Sequence, residues 1–218
     1  MQISRGRIIS YIAGLFIMTL GIAVSIKADL GVSPVSSLPY TLTLTVGIEM
    51  GKATILWQSL MVLAQLLILR KDFKKRYWLQ ILVGIVFGYF TTFANGLMAL
   101  LPSPGNLLLR AALLAASVLL IALGLAIYVR ADIMNIANEG VMQAVSFKTG
   151  VAFSRVKMAF DISMAVLSAV ICLLVTGGLG SIGVGTVAAA VLVGPCVGLF
   201  NRALFVREEE AQPPVAAE

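Results

Sequence analysis

Hydrophobic and polar positions along this chain are segregated into blocks. Six apolar blocks are long enough to form spanning helices, at about residues 8–26, 53–69, 77–101, 111–129, 156–176 and 181–201. A bilayer core takes about 20 mostly apolar residues per helix. Two further stretches, about 32–48 and 135–151, are moderately apolar but interrupted by Pro, Ser, Asn and Glu. They predict short re-entrant or interfacial helices, because broken backbone at membrane depth is tolerated only where it lines a cavity or is buried in protein.

A second pattern overlies the first. Lys27-Ala28-Asp29-Leu30 recurs as Arg130-Ala131-Asp132-Ile133, each at the end of an apolar block. The same offset of 103 residues carries Leu20-Gly21 onto Leu123-Gly124, Gly47 onto Gly150 and Lys52 onto Arg155. An offset of 106 carries Gly88 onto Gly194 and Asn95 onto Asn201. Each half then holds three spans and one short segment. Three is odd, so the second half enters the membrane from the opposite side. The expected architecture is an all-α membrane protein: six transmembrane helices as two inverted three-helix repeats, each with a short re-entrant or interfacial helix. The repeats run over 8–101 and 111–204, joined by an external linker at 102–110.

Composition agrees with this picture. The chain is 60% hydrophobic and 12% charged, with a mean hydropathy of +1.01, whereas soluble domains carry about 25% charged residues. The net charge of +6 would suggest nucleic acid in a soluble chain; here it sorts by topology. Thirteen of the sixteen basic residues fall on one side of the six-span arrangement, and only Lys27, Lys52 and Arg110 on the other. The positive-inside rule puts that majority, and both termini, in the cytoplasm: a short N-terminus at 1–7 and an acidic tail at 205–218, expected to be disordered. No cleavable signal peptide follows the first block. There is no His, and Cys172 and Cys196 lack metal-ligand spacing, so no metal, cofactor or catalytic residue is expected and an intramembrane enzyme is disfavoured.

The candidate binding residues lie in the two polar-interrupted segments: Ser33, Pro34, Ser36 and Ser37 in the first, and Asn135, Asn138, Glu139 and Gln143 in the second. Pro34 suits a first helical turn with Ser33 as its cap. Glu139 is either a cation or proton site or a solvent-facing charge. Lys27, Asp29, Arg130 and Asp132 are candidates for gates or ion pairs; alternatively the basic residues snorkel and the aspartates are N-caps of the short helices. Lys157 and Asp161, four apart, can pair on one helix face. Gly183, Gly185, Thr186 and Gly194 suit close helix packing or backbone approach to a ligand.

The duplicated "LG…KADLGVSP" and the late "GSIGVGTVAAAVLVGPCVGLF" resemble the YczE/YitT-type family of small bacterial membrane proteins. The resemblance covers roughly residues 8–204 and implies a multi-pass protein of the bacterial cytoplasmic membrane. It marks Gly31, Pro34, Gly183, Gly185, Thr186, Gly194 and Pro195 as family-like positions and brings no substrate. Met134 and Ala137 stand where the first half has Gly31 and Pro34, so a strictly symmetric site is not expected. Inverted repeats with broken helices point to a secondary transporter for a small polar metabolite or ion. The competing reading is a non-transporting membrane partner that stabilises another complex. The expected partners are the bilayer, an unidentified small solute and a second copy of the chain, with no nucleic acid.

Overall fold

The structure, a computed structural model, describes residues 4–209. It consists of eight α-helices: α1 (Arg5–Ala28), α2 (Pro34–Val46), α3 (Met50–Leu69), α4 (Leu79–Ala99), α5 (Leu107–Arg130), α6 (Ala137–Thr149), α7 (Phe153–Thr176) and α8 (Val184–Glu209). Two short 3-10 turns, Arg70–Asp72 and Lys75–Trp78, connect α3 to α4. Six helices are long and apolar enough to cross a membrane; α2 and α6, at 13 residues each, are not. Of the predicted acidic tail, residues 210–218 lie outside the described residues, and α8 continues to Glu209.

Helix ends extend past the apolar blocks because backbone hydrogen bonding continues into the polar boundary. Thus α1 starts at Arg5 and α5 at Leu107, where Asn106 Oδ1 accepts from Leu109 N–H at 2.7 Å. At the start of the last span the opposite occurs: residues 181–183 are drawn out of the helix to bond the loop after α1.

The centre of the bundle is the α1–α5 pair, packed antiparallel. Arg7 meets Ala131, Gly14 meets Tyr128, and Gly21 meets Ile121. Glycine permits this closeness. A Cβ on Gly14 would lie 2.6 Å from Tyr128 N, and one on Gly124 would lie 2.5 Å from Met18 N. Gly21 and Gly124, the repeat-related pair, each sit against the opposing helix. Around this pair α4 packs on α1 and α8 on α5; α2 packs on α7 and α6 on α3; α2 adjoins α3 and α6 adjoins α7. Exchanging the halves maps each of these pairings onto another. The α3–α4 pairing breaks the rule, since α7 and α8 make no comparable contact, and both leave most of their surface outward.

The aspartates of the duplicated motif are not N-caps. Asp29 and Asp132 adopt left-handed backbone, with φ of 53° and 46°, and terminate the helices that precede them. The residues at the N-cap positions of α2 and α6 are Ser33 and Ile136. Asp tolerates the left-handed region better than most residues because its short side chain can hydrogen-bond locally. Gly47 and Gly150, again 103 apart, close α2 and α6 with φ of 75° and 71°.

Candidate functional site

The two short helices begin at one place. Ser33 and Ser36 of α2, and Ile136 and Asn138 of α6, line a central cavity of about 30 Å³, roughly enough for one or two waters. Three pairs of positions 103 apart are among its lining: Met18 and Ile121, Ser33 and Ile136, and Val35 and Asn138. Thr54, Trp57 and Gln58 of α3 and Thr91 of α4 complete the polar lining, and among the described residues no charged one lines it. Three buried polar atoms at this cavity have no hydrogen-bond partner: Trp57 Nε1, Gln58 Oε1 and Asn138 Oδ1. Their residues are 9, 2 and 1% exposed. An unsatisfied buried polar group costs about 1–3 kcal/mol, so a cluster of three is a feature that demands an occupant.

The two ends of the bundle differ. At the Lys27 end, the loop after α1 lies against the loop before α8. Val32 N–H donates to Ser181 O at 3.1 Å, and Gly185 N–H donates to Leu30 O at 2.7 Å. Gly31 has φ of 101°, and a Cβ there would sit 2.5 Å from Gly183 N. Just inside, Ser168 Oγ of α7 donates to Ser37 Oγ of α2 at 2.9 Å, and the Thr41 and Ser181 hydroxyls are 2.7 Å apart beside buried Cys172. This end is closed. At its rim a separate 380 Å³ cavity is lined by Lys27, Asp29, Asn95 and Arg110.

At the Arg7 end the equivalent loops are joined differently, by Arg76 Nη2 donating to Ile133 O at 3.3 Å. Met134 and Tyr77, the counterparts of Gly31 and Gly183, are both wall residues of a 670 Å³ vestibule. Ala144 and Leu69, the counterparts of Thr41 and Cys172, also line it. Its floor is Gln65, 1% exposed, whose Nε2 donates to Gln80 Oε1 at 2.7 Å and Ala137 O at 3.1 Å. Lys71, Lys74 and Arg76 line the opening, while Asp72 and Asp132 are paired with Lys148 and Arg7.

The predicted residues divide among these places. Ser33, Ser36 and Asn138 line the central cavity. Pro34 takes the first position of α2. Ser33 makes no capping bond; its hydroxyl lies 2.7 Å from that of Ser36. Asn135 and Gln143 line the vestibule. Glu139 is not a solvent-facing charge: it is half-buried and its Oε2 accepts from the hydroxyl of buried Tyr128. Asp29 pairs with Arg110 at 3.0 Å, not with Lys27, whose Nζ donates to Leu101 O. Arg130 ends α5 in an exposed position. Lys157 Nζ lies 3.0 Å from Asp161 Oδ2, and the other Asp161 oxygen is buried without a partner. Gly183, Gly185 and Thr186 make the close approach to Leu30 and Gly31. Gly194 does not pack: a methyl there meets nothing within 4 Å.

Sequence reasoning left out Trp57, Thr54, Thr91, Gln65 and Gln80, which line the cavity or vestibule. Gln58, which lies 103 positions before Asp161, also lines the cavity. Their signal was available: each is polar, or has a polar handle, inside or beside an otherwise apolar span.

Among the described residues, six helices long and apolar enough to cross a membrane define a multi-pass integral membrane protein. The chain belongs to the family described as "Family of unknown function (DUF6198)", whose model matches residues 5–202. It is similar to the uncharacterized membrane protein YczE of Bacillus subtilis (strain 168), with 27% identity over 221 residues covering 94% of each chain. No solved structure matches the chain.

Proposed function

We propose that this protein is a secondary transporter for a small polar metabolite or ion, working by alternating access of two inverted repeats in the bacterial cytoplasmic membrane. One observation carries the reading. At one end Gly31 meets Gly183, whereas at the other the positions at the same offsets, Met134 and Tyr77, line a 670 Å³ vestibule. Exchange of these two states would alternately expose the cavity between the starts of α2 and α6. The antiparallel α1–α5 pair and the exchange symmetry of the pairings support the inverted relationship. Inverted-repeat transporters place their sites near the midplane, at broken-helix ends.

The positive-inside rule sets the orientation. The Arg7 end gathers Arg7, Arg76 and Lys148 and is cytoplasmic in this reading, so the vestibule faces inward and the glycine closure outward.

The test is a reversible lock. In a Cys172→Ser, Cys196→Ser background, Ser37→Cys with Ser168→Cys places two thiols where hydroxyls now touch, holding α2 to α7. Proteoliposomes would be screened for efflux of labelled carboxylates, amino acids and amines. Transport abolished by oxidation and restored by reductant is the expected result. A solute flux that the disulfide leaves untouched overturns alternating access.

A further inference from the structure

Among the described residues no charged side chain lines the central cavity, and the one carboxylate in the first turn of α6, Glu139, is engaged by the Tyr128 hydroxyl. Two 13-residue helices, α2 and α6, start at the cavity. A helix N-terminus carries the equivalent of about half a positive charge and leaves first-turn N–H groups without intrahelical partners. Neither N-cap residue supplies a side-chain acceptor: Ser33 makes no capping bond, and Ile136 has no polar side chain. Beside them, buried Trp57 Nε1 has no partner, and an indole N–H can only donate. The other two unpartnered atoms, Asn138 Oδ1 and Gln58 Oε1, are acceptors as placed; rotating either amide by 180° presents its NH₂ to an incoming acceptor instead.

We infer that the cavity binds one carboxylate-sized anionic group of the transported solute, held by the two helix N-termini, the Trp57 indole and the Asn138 amide. This rests on the transport reading and specifies its substrate class. The cavity volume, about 30 Å³, fits a single small group. The vestibule is consistent in sign. Lys71, Lys74 and Arg76 line it, whereas both its aspartates are neutralised by Lys148 and Arg7, and a basic funnel raises the local concentration of anions.

The discriminating probes are acetate and acetamide, nearly the same shape and different in charge. The full chain in detergent carries Trp78→Phe, leaving Trp57 as its single indole. Sodium acetate or acetamide is titrated at constant ionic strength set by sodium gluconate, too large for the cavity. Trp57 emission and melting temperature are read together. Acetate should give a saturable change in both, with acetamide at least tenfold weaker. Asn138→Ala should weaken acetate at least tenfold; Ser36→Ala, read by melting temperature, serves where Asn138→Ala does not fold. Equal binding of acetamide overturns the anionic class and leaves the cavity a site for a neutral solute. Binding of neither overturns the cavity as a ligand site, while disulfide-switched flux would still uphold transport through another route.

Discussion

Ser168 Oγ donates to Ser37 Oγ at 2.9 Å, joining α7 to α2. The corresponding positions in the exchanged halves are Gln65 on α3 and Gly140 on α6, which are also in contact. Two different helix pairs related by the 103-residue offset are thus each in contact, α2 and α7 through two small hydroxyls and α3 and α6 through a large amide over a glycine. A Cβ on Gly140 would lie 2.7 Å from Gln65 Cδ.

That complementarity predicts strong coupling. Gly140→Ala alone displaces Gln65 from its bonds to Gln80 and Ala137 and should cost about 1–3 kcal/mol. Adding Gln65→Ser should recover much of the loss. Melting temperatures of the two single variants and the double variant form the cycle; strict additivity would contradict the contact.

Arg7 forks onto Ala131 O at 3.0 and 2.8 Å and onto Asp132 O at 3.0 Å, capping the exposed carbonyls after α5. Arg7→Ala should destabilise by about 1–3 kcal/mol. Arg7→Lys should restore only part, because an ammonium cannot reproduce the guanidinium fork. Lys148→Ala breaks an exposed ion pair and should stay within about 1 kcal/mol. Chemical denaturation in detergent ranks the three.

Tyr128 is fully enclosed, edge-on to Tyr11, and its hydroxyl serves Glu139. Tyr128→Phe leaves the half-buried carboxylate without this donor and should lower the melting temperature clearly. Tyr128→Phe combined with Glu139→Gln should be the milder change, since it removes the charge whose donor is lost. A double variant worse than Tyr128→Phe alone would contradict that role for Tyr128.

At Asp29 and Asp132 the backbone, more than the side chain, constrains replacement. Asp29→Gly and Asp132→Gly should be tolerated within about 1 kcal/mol, whereas Val at either position should cost about 1–2 kcal/mol or more, because β-branching opposes the left-handed region. If Ser proves the best substitute at both positions, as an N-cap would require, the left-handed assignment fails.

The span pattern was legible because length and hydropathy decide which segments can cross a bilayer. At the offset of 103, Asp29 with Asp132 and Gly47 with Gly150 share positive φ. The aspartates' role was misread because an Asp before a helix and an Asp after one look alike in a chain with both nearby. Gly194 was misread because small residues permit close packing without compelling it.

The residues alone thus determined six apolar spans, two short polar-interrupted helices and the basic bias of one end, all set by local composition and the solvent. Tertiary packing decided that the starts of α2 and α6 converge and that Trp57, Gln58 and Asn138 are left unpartnered beside one cavity. It also decided that Gly31 meets Gly183 while Met134 and Tyr77 line a vestibule. These relations join positions up to about 150 residues apart, and no periodicity within one segment encodes which face of a helix its distant neighbour covers.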